Sequence, residues 1–267
     1  MRGNLHNHST YSDGIKTIEE LNEMAIENKY DVIAITDHDT LDGYDTISKI
    51  DTKVRIITGV EMKCKYKGES VHILGYFSGK PDDNAIKYFD VLKNKRDIRC
   101  RNMLKKLKDI FNLDISYEEV KKLSSGAIGR PHIARAICNK YNISFDEAFD
   151  KYIGNNSPAY IMETDLDIEE VINFLDKYNA LKVIAHPIQI KKSDFRELVK
   201  YNFDGIEAVH PDQDEEYSNM IREFAKEHNL IVTGGADYHG DAGHRKFEKF
   251  FIEGNELDIF LSKLDNK

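Results

Sequence analysis

Six short runs of β-branched and other apolar residues recur along the chain, and they constrain its fold more than any other feature. They are "DVIAIT" (31 to 36), "VRIITGVEM" (54 to 62), "HILGYF" (72 to 77), "LKVIAH" (181 to 186), "GIEAV" (205 to 209) and "LIVTGGAD" (230 to 237). Each is continuous rather than alternating, the pattern of a strand buried on both faces. Helical patterns separate several of them. Thr17-Ile18-Glu19-Glu20 reads as a capping box, and Ile18, Leu21 and Ala25 follow at helical spacing, which predicts a helix over 17–28. Strands alternating with helices imply a mostly parallel sheet, and their number favours closure into an α/β barrel over a short open sheet. A chain of 267 residues, 40% hydrophobic and 32% charged, is long enough for one barrel with an insertion or for two modest domains.

The rhythm changes between about Asp83 and Ser157, where no β-branched run appears and Lys, Arg, Leu and Ile recur at helical spacing. The expected division is a barrel formed by residues 1–82 and 158–267 and a helical insertion over 83–157. From Lys87 to Lys108 the insertion carries nine Lys or Arg against two Asp, within a chain of formal net charge -9. This run is either a solvated helix face or a lid whose positive face meets an anionic substrate.

Composition excludes several classes. The acidic net charge disfavours general coating of nucleic acid. Cys64, Cys100 and Cys138 are widely spaced, odd in number and free of any CxxC pairing, which argues against a disulfide framework or a thiolate zinc site. Neither a basic leader with an apolar core nor an eighteen-residue apolar run occurs, which predicts a cytoplasmic protein with no membrane span and no evident obligate protein partner. No glycine fingerprint suggests a dinucleotide-binding unit.

In α/β barrels, functional groups gather at the C-terminal ends of the strands. His6 and His8, in "NLHNHSTYSDG" (4 to 14), alternate across one residue and so face the same side, with Asp13 in the following loop. His38 lies in "TDHD", Glu61 at the end of "TGVE", His186 in "VIAHP", and Asp237 and His239 in "GADYHG". Only His72 stands at a strand start, which fits if its strand runs antiparallel. Structural histidines have no reason to prefer strand ends, yet six of the ten histidines join three carboxylates in this pattern. Imidazole with carboxylate and no thiolate suits Zn, Mn or Fe. Nine donors exceed the needs of one ion, so two to three divalent metal ions sharing ligands are expected. Asp37 and Asp39 flank His38 and either orient an imidazole or form the turn after the strand. His210 is a candidate rim contact, and His228 and His244 read as surface residues.

"HNHSTYSDG", "TDHD", "GVE", the His before "ILGYF", "AHP" and "GADYHG", in that order, resemble the PHP (polymerase and histidinol phosphatase) family over nearly the whole chain. That resemblance implies a distorted (β/α)7 barrel. It is strongest to insertion-bearing phosphoesterases similar to nucleoside 3′,5′-bisphosphate phosphatases and 5′-3′ exoribonucleases. It also implies the ligand sets: His6, His8, Glu61 and Asp237 for one ion; the shared Glu61 with His72 and His186 for a second; Asp13, His38 and His239, taken as catalytic, for a third.

Within the insertion, "GAIGRPHIARAI" (126 to 137) places Pro131 where a helix begins, and such an end attracts anions. Arg130 stands at that end, and His132 and Arg135, three residues apart, share a face. The planar fork of arginine suits phosphate, although both arginines also read as solvated helix charges. "GRPHIARA" resembles a phosphate-gripping segment of the insertion-bearing phosphoesterases, and the same resemblance draws in Arg96 and Arg99. The expected activity is metal-dependent hydrolysis of a phosphate ester of a nucleotide, a nucleoside 3′,5′-bisphosphate first. A short 5′-phosphorylated RNA, a histidinol-phosphate-type substrate and a non-catalytic metal-stabilised binding module are the alternatives.

Overall fold

The structure is a computed structural model that describes residues 1–124, 128–161, 166–240 and 245–267. In chain order the elements are β1 (Arg2–Asn4), α1 (Ile18–Glu27), β2 (Val32–Ile35), α2 (Tyr44–Ile47), β3 (Arg55–Tyr66), β4 (Glu69–Tyr76), α3 (Asp83–Phe111), α4 (Tyr117–Lys121), α5 (Arg130–Tyr141) and α6 (Phe145–Glu147). A π-helical turn (Ala148–Ile153) follows, then β5 (Leu166–Asp167), α7 (Ile168–Lys177), β6 (Leu181–Ile184), β7 (Gly205–Val209), α8 (Glu215–Glu227), β8 (Ile231–Gly234), β9 (Ile252–Glu253) and α9 (Asn255–Asp265).

The sheet order is β8-β7-β6-β4-β3-β2-β1-β9, with β5 added beside β3. The ends of β1 and β8 meet: Leu5 N–H donates to Gly234 O (3.0 Å), and His8 N–H donates to Tyr238 O (2.9 Å). Gly235 makes this approach possible, because a Cβ there would lie 2.3 Å from the His6 nitrogen. The result is a nearly closed barrel, parallel except where β4 runs against both β3 and β6 and where β9 runs against β1. All six sequence runs fall on strands, and every residue of β2 and β6 is buried, which explains their unbroken apolar character. Thr17 caps α1 through the expected capping box.

Two departures matter for the site. His72 lies within an antiparallel strand, as its position demanded. Glu61 does not end its strand: β2 pairs with β3 only as far as Thr58, while β3 continues to Tyr66 and returns as β4 through a turn at Lys67 and Gly68. Lys67 and Gly68 both take positive φ. Glu61 thus sits in mid-strand, at the level where its parallel neighbour has ended.

Barrel strands and α9 share one apolar cluster, in which Leu5, Leu74, Tyr76 and Val183 meet Leu257 and Phe260. The helical stretch has its own cluster, where Met103 and Leu107 of α3 pack with Ile133 and Ile137 of α5 and with Tyr152 and Ile153. The first half of α3 instead buries Ala85, Phe89 and Leu92 against the barrel. One 29-residue helix therefore belongs to both cores, which fixes α5 over the barrel mouth. Among the described residues no helix is long and apolar enough to cross a membrane.

Candidate metal centre

The barrel places His6 and His8 just past β1, His38 past β2, Glu61 on β3, His72 on β4, His186 past β6, and Asp237 and His239 past β8. His186 (φ 24°) and Asp237 (φ 44°) both leave their strands in the left-handed region, an uncommon backbone for these residues that turns them at the strand end.

Three groups of donors converge: His6, His8, Glu61 and Asp237; His8, Asp13, His38 and His239; and His38, Glu61 and His72. In the first, His6 Nε2 lies 3.3 Å from Glu61 Oε2 and 3.4 Å from Asp237 Oδ1, and His8 Nε2 lies 3.1 Å from each of these oxygens. Donors about 2.1 Å from one ion in a tetrahedral shell stand about 3.4 Å apart, so the spacing fits a shared ion. These four buried atoms, His6 Nε2, His8 Nε2, Glu61 Oε2 and Asp237 Oδ1, have no hydrogen-bond partner among the described residues, a costly arrangement unless a cation binds them. The other oxygen of Glu61 meets His72 Nδ1 (2.7 Å) and His186 Nε2 (2.8 Å), and Asp13 Oδ1 meets His239 Nε2 (3.2 Å). The residues present fit a polynuclear divalent site. His38 differs from its expected grouping by standing between two sets, with Nδ1 3.2 Å from Glu61 Oε2.

Electrostatics agree. Burial opposes the charge of Glu61, yet His38, His72 and His6 hold its carboxyl well below the usual range; burial likewise opposes Asp13, whose carboxyl His239 and His38 bring well down. Burial keeps the imidazoles of His8, His38 and His186 neutral. Ionised carboxylates with neutral imidazoles are the forms that ligate metals. His6 is the exception: burial is outweighed by Glu207 and Glu61, which raise its imidazole to about 9. The buried carboxylates attract a positive charge, and without an ion a proton supplies it.

A second layer holds the donors. Glu207 on β7 is wholly buried; its Oε1 lies 3.0 Å from His6 Nδ1, and its Oε2 accepts from the His186 backbone N–H (2.7 Å). His210 is buried with Nε2 3.2 Å from Asp237 Oδ2, behind the centre and not at its rim. Arg245 bonds the same carboxylate. Sequence reasoning missed both Glu207 and Arg245. The former had a signal, a lone carboxylate inside the apolar run "GIEAV", where a charge is buried only if partnered. Asp37 does not reach an imidazole: its carboxylate accepts from Ser9 N–H (2.7 Å), Ser9 Oγ (2.6 Å) and Ser12 Oγ (2.5 Å), anchoring the loop that carries Asp13. Asp39 pairs with Arg96. His228 is exposed, while His244, Gly126 and Ala127 lie outside the described residues.

Two cavities open from the donor cluster. The larger, about 600 Å³, runs from Asp13, His38, His72 and His239 between Arg135, Arg245, Ile15, Pro131, Phe145 and Phe149. The smaller, about 170 Å³, shares Asp13, His38 and His72 and is walled by Lys63, Arg96, Arg99 and Arg130. Lys63 stands directly opposite His72 in the hairpin. Arg135 donates through Nη2 to the Asp13 carbonyl (3.0 Å); Arg130 donates through Nη1 to Asn155 Oδ1 (2.8 Å); Arg99 donates through Nε to Ile161 O (2.8 Å). Arg130 and Arg135 therefore border different cavities, not one shared anion site. Five residues apart on a helix, they point roughly 140° from each other. His132 borders neither cavity. It is fully buried, its Nδ1 accepts from Gly129 N–H (3.0 Å), and it serves as an internal helix cap. Gly129 is in ordinary extended backbone.

These features define an α/β barrel with converging His, Asp and Glu groups that could hold divalent metal at one mouth. The chain belongs to the PHP domain family, whose model matches residues 4–230. A 5′-3′ exoribonuclease from Haemophilus influenzae is 29% identical over 265 residues, covering 96% of this chain and 94% of the relative. A phosphoribosyl 1,2-cyclic phosphate 1,2-diphosphodiesterase from Eggerthella lenta is 26% identical, covering 90% and 94%. A 3′,5′-nucleoside bisphosphate phosphatase from Chromobacterium violaceum is 23% identical, covering 90% of each chain. A solved structure from Bifidobacterium adolescentis superposes with a TM-score of 0.87 at 24% identity, covering 98% of this chain and 96% of that one, and shares the fold.

Proposed function

We propose that this chain is a metal-dependent phosphoesterase that hydrolyses a phosphate ester of a nucleotide carrying a second phosphate, a nucleoside 3′,5′-bisphosphate first. One observation carries the reading: Asp13, His38 and His72, members of the converging His, Asp and Glu groups, line a cavity that is also walled by Lys63, Arg96, Arg99 and Arg130. Bound divalent ions would neutralise phosphate oxygens and lower the pKa of a water to roughly 7. The nine side chains His6, His8, Asp13, His38, Glu61, His72, His186, Asp237 and His239 would hold them.

The chain's own residues do the rest. His38, His72 and His239 are 17 to 25% exposed and face the cavities, while His6, His8, Glu61 and Asp237 are nearly sealed, so substrate approaches over the first three. Asp13, His38 and His239 stand nearest the reacting phosphate in this reading. Arg135, on the larger cavity, offers its remaining N–H groups to that phosphate. Arg130 and Arg99, on the smaller cavity, take the second phosphate through planar forks. A singly phosphorylated small molecule would leave that basic wall unused. The helical insertion over 83–157, closing on a barrel of 1–82 and 158–267, supplies Arg99, Arg130 and Arg135 and is part of the same proposal.

A short 5′-phosphorylated RNA is the second reading, favoured by the name of the Haemophilus relative. Against it stands the basic run of α3: apart from Arg96 and Arg99, which face the smaller cavity, four of the other seven cations between Lys87 and Lys108 already have partners within the chain. Lys93 pairs with Asp42 and Lys108 with Asp114, Lys106 donates to Pro158 O, and Arg101 lies over Tyr117. Release of inorganic phosphate from a nucleoside 3′,5′-bisphosphate or a small aryl phosphate, and of mononucleotides from a 5′-phosphorylated oligoribonucleotide, measured with Mn-loaded protein, tests the reading. The bisphosphate should give the highest kcat/KM. A preference for the aryl phosphate overturns it.

A further inference from the structure

The larger cavity is unlike the smaller one in a way that phosphate binding does not explain. Phe145 and Phe149 line it together with the donors, their ring centroids 6.0 Å apart and planes at 30°. Phe145 is 41% exposed and Ile15, on the same cavity, 49% exposed. An exposed aromatic ring stacked beside a half-buried one, at the edge of a charged site, offers an apolar face that a flat ligand would cover. Phe149 is the shared wall: it borders both cavities, with the Arg130 guanidinium 5.1 Å over its ring.

We propose that Phe145 and Phe149 form a subsite for the nucleobase, so that the base lies in the larger, apolar cavity and the second phosphate in the smaller, basic one. This rests on the nucleotide reading above and deepens it by giving the substrate a direction. The physical case is one of sorting. A planar base gains from stacking on an aromatic face whatever its edge carries. A phosphate gains nothing there, and it finds four cationic side chains on the other side of Phe149. The cavity of about 600 Å³ has room for a base and its sugar, whereas the small one holds little more than a phosphate group. Stacking engages the face of a base and not its edge, so the subsite is tolerant of base identity.

The test compares a nucleoside bisphosphate with the corresponding ribose bisphosphate that lacks a base. Phe145→Ala should lower kcat/KM for the nucleoside compound about tenfold and leave the abasic compound unchanged, while Phe145→Tyr, which keeps the ring, should restore the difference. Phe149→Leu, milder because that ring is partly packed, should act in the same direction. Equal losses on both compounds, or no loss on either, overturn the subsite. Binding supplies an independent readout: the fluorescence of an ethenoadenosine nucleotide should be quenched on the wild-type protein and much less on Phe145→Ala. Equal quenching by the two proteins also overturns it. If the wild type hydrolyses no phosphate ester at all, the phosphoesterase reading fails, and the quenching experiment still decides the subsite.

Discussion

The inner donors and the outer cavity walls are built on opposite principles. His6, His8, Glu61 and Asp237 are almost sealed from water, and their facing atoms lack hydrogen bonds among the described residues. Arg130, Arg135, Phe145 and Phe149 lie partly in water, and the two arginines are braced by neutral oxygens, Asn155 Oδ1 and the Asp13 carbonyl. A buried charge set is all-or-none, because removing one member leaves the others uncompensated. A half-exposed wall is graded, because solvent replaces what a substitution removes. The chemistry is therefore expected to be brittle at the strand ends and tunable in the helical stretch.

Glu61→Gln should break the comparison most sharply, since the carboxylate contacts His6, His8, His38, His72 and His186. Activity should fall on the order of 10³-fold, the scale of several kcal/mol of charge stabilisation. Elemental analysis should find at least one ion fewer than in the wild type, where two to three are expected. Circular dichroism checks that the fold survives. Full metal content with wild-type turnover would make Glu61 a structural acid.

Glu207→Gln keeps every proposed ligand and alters only what orients His6 and His186. A loss of about 10- to 100-fold in metal affinity is expected, read by competition with a chelator. An unchanged affinity would show that the imidazoles are held by packing alone.

The outer wall should respond more gently. Arg130→Ala and Arg135→Ala should each lower kcat/KM for a nucleoside bisphosphate by about tenfold, a charge-assisted contact in a partly solvated setting. Because the two border different cavities, the double variant should lose the product of the single effects to within about 0.5 kcal/mol. A large interaction energy would return them to one shared anion site.

The smallest effect concerns pH. In metal-free protein the His6 imidazole is raised to about 9 from its ordinary 6.5. The stability that its proton contributes is fully present below 6.5 and is lost as pH rises through about 9. An ion must displace that proton, so ion binding strengthens over the same interval. The increase in Tm on adding Mn should accordingly grow between pH 6.5 and 9, and a pH-independent increase would remove His6 from the site.

Much of the centre was legible along the chain because strand ends are visible in it. An apolar run stops, and the first His, Asp or Glu after it faces the barrel mouth. This logic pointed directly to seven of the nine expected donors, to Glu61 through a strand end that lies farther on, and to His72 once its strand is antiparallel. It failed for Glu61's position, since nothing local shows that β3 outlasts β2. It failed for Asp37, where a carboxylate next to a ligand meets serine hydroxyls before any imidazole. His132 looked like a ligand contact because helical periodicity gives a face but not what covers it.

By itself the sequence determined the alternation of strand and helix, the donor types and their order, because period, propensity and side-chain chemistry act over a few residues. Tertiary structure decided which donors meet. Closure of β1 on β8 carries His6 and His8 to Asp237, more than two hundred residues away, and the β3–β4 hairpin brings Glu61 among five imidazoles. Helix α3, packed into both cores, seats α5 over the mouth, with Arg130 and Arg135 on different sides. Such convergence depends on how many strands complete the ring and on where each one ends, quantities set by packing of the whole chain and not by any short stretch of it.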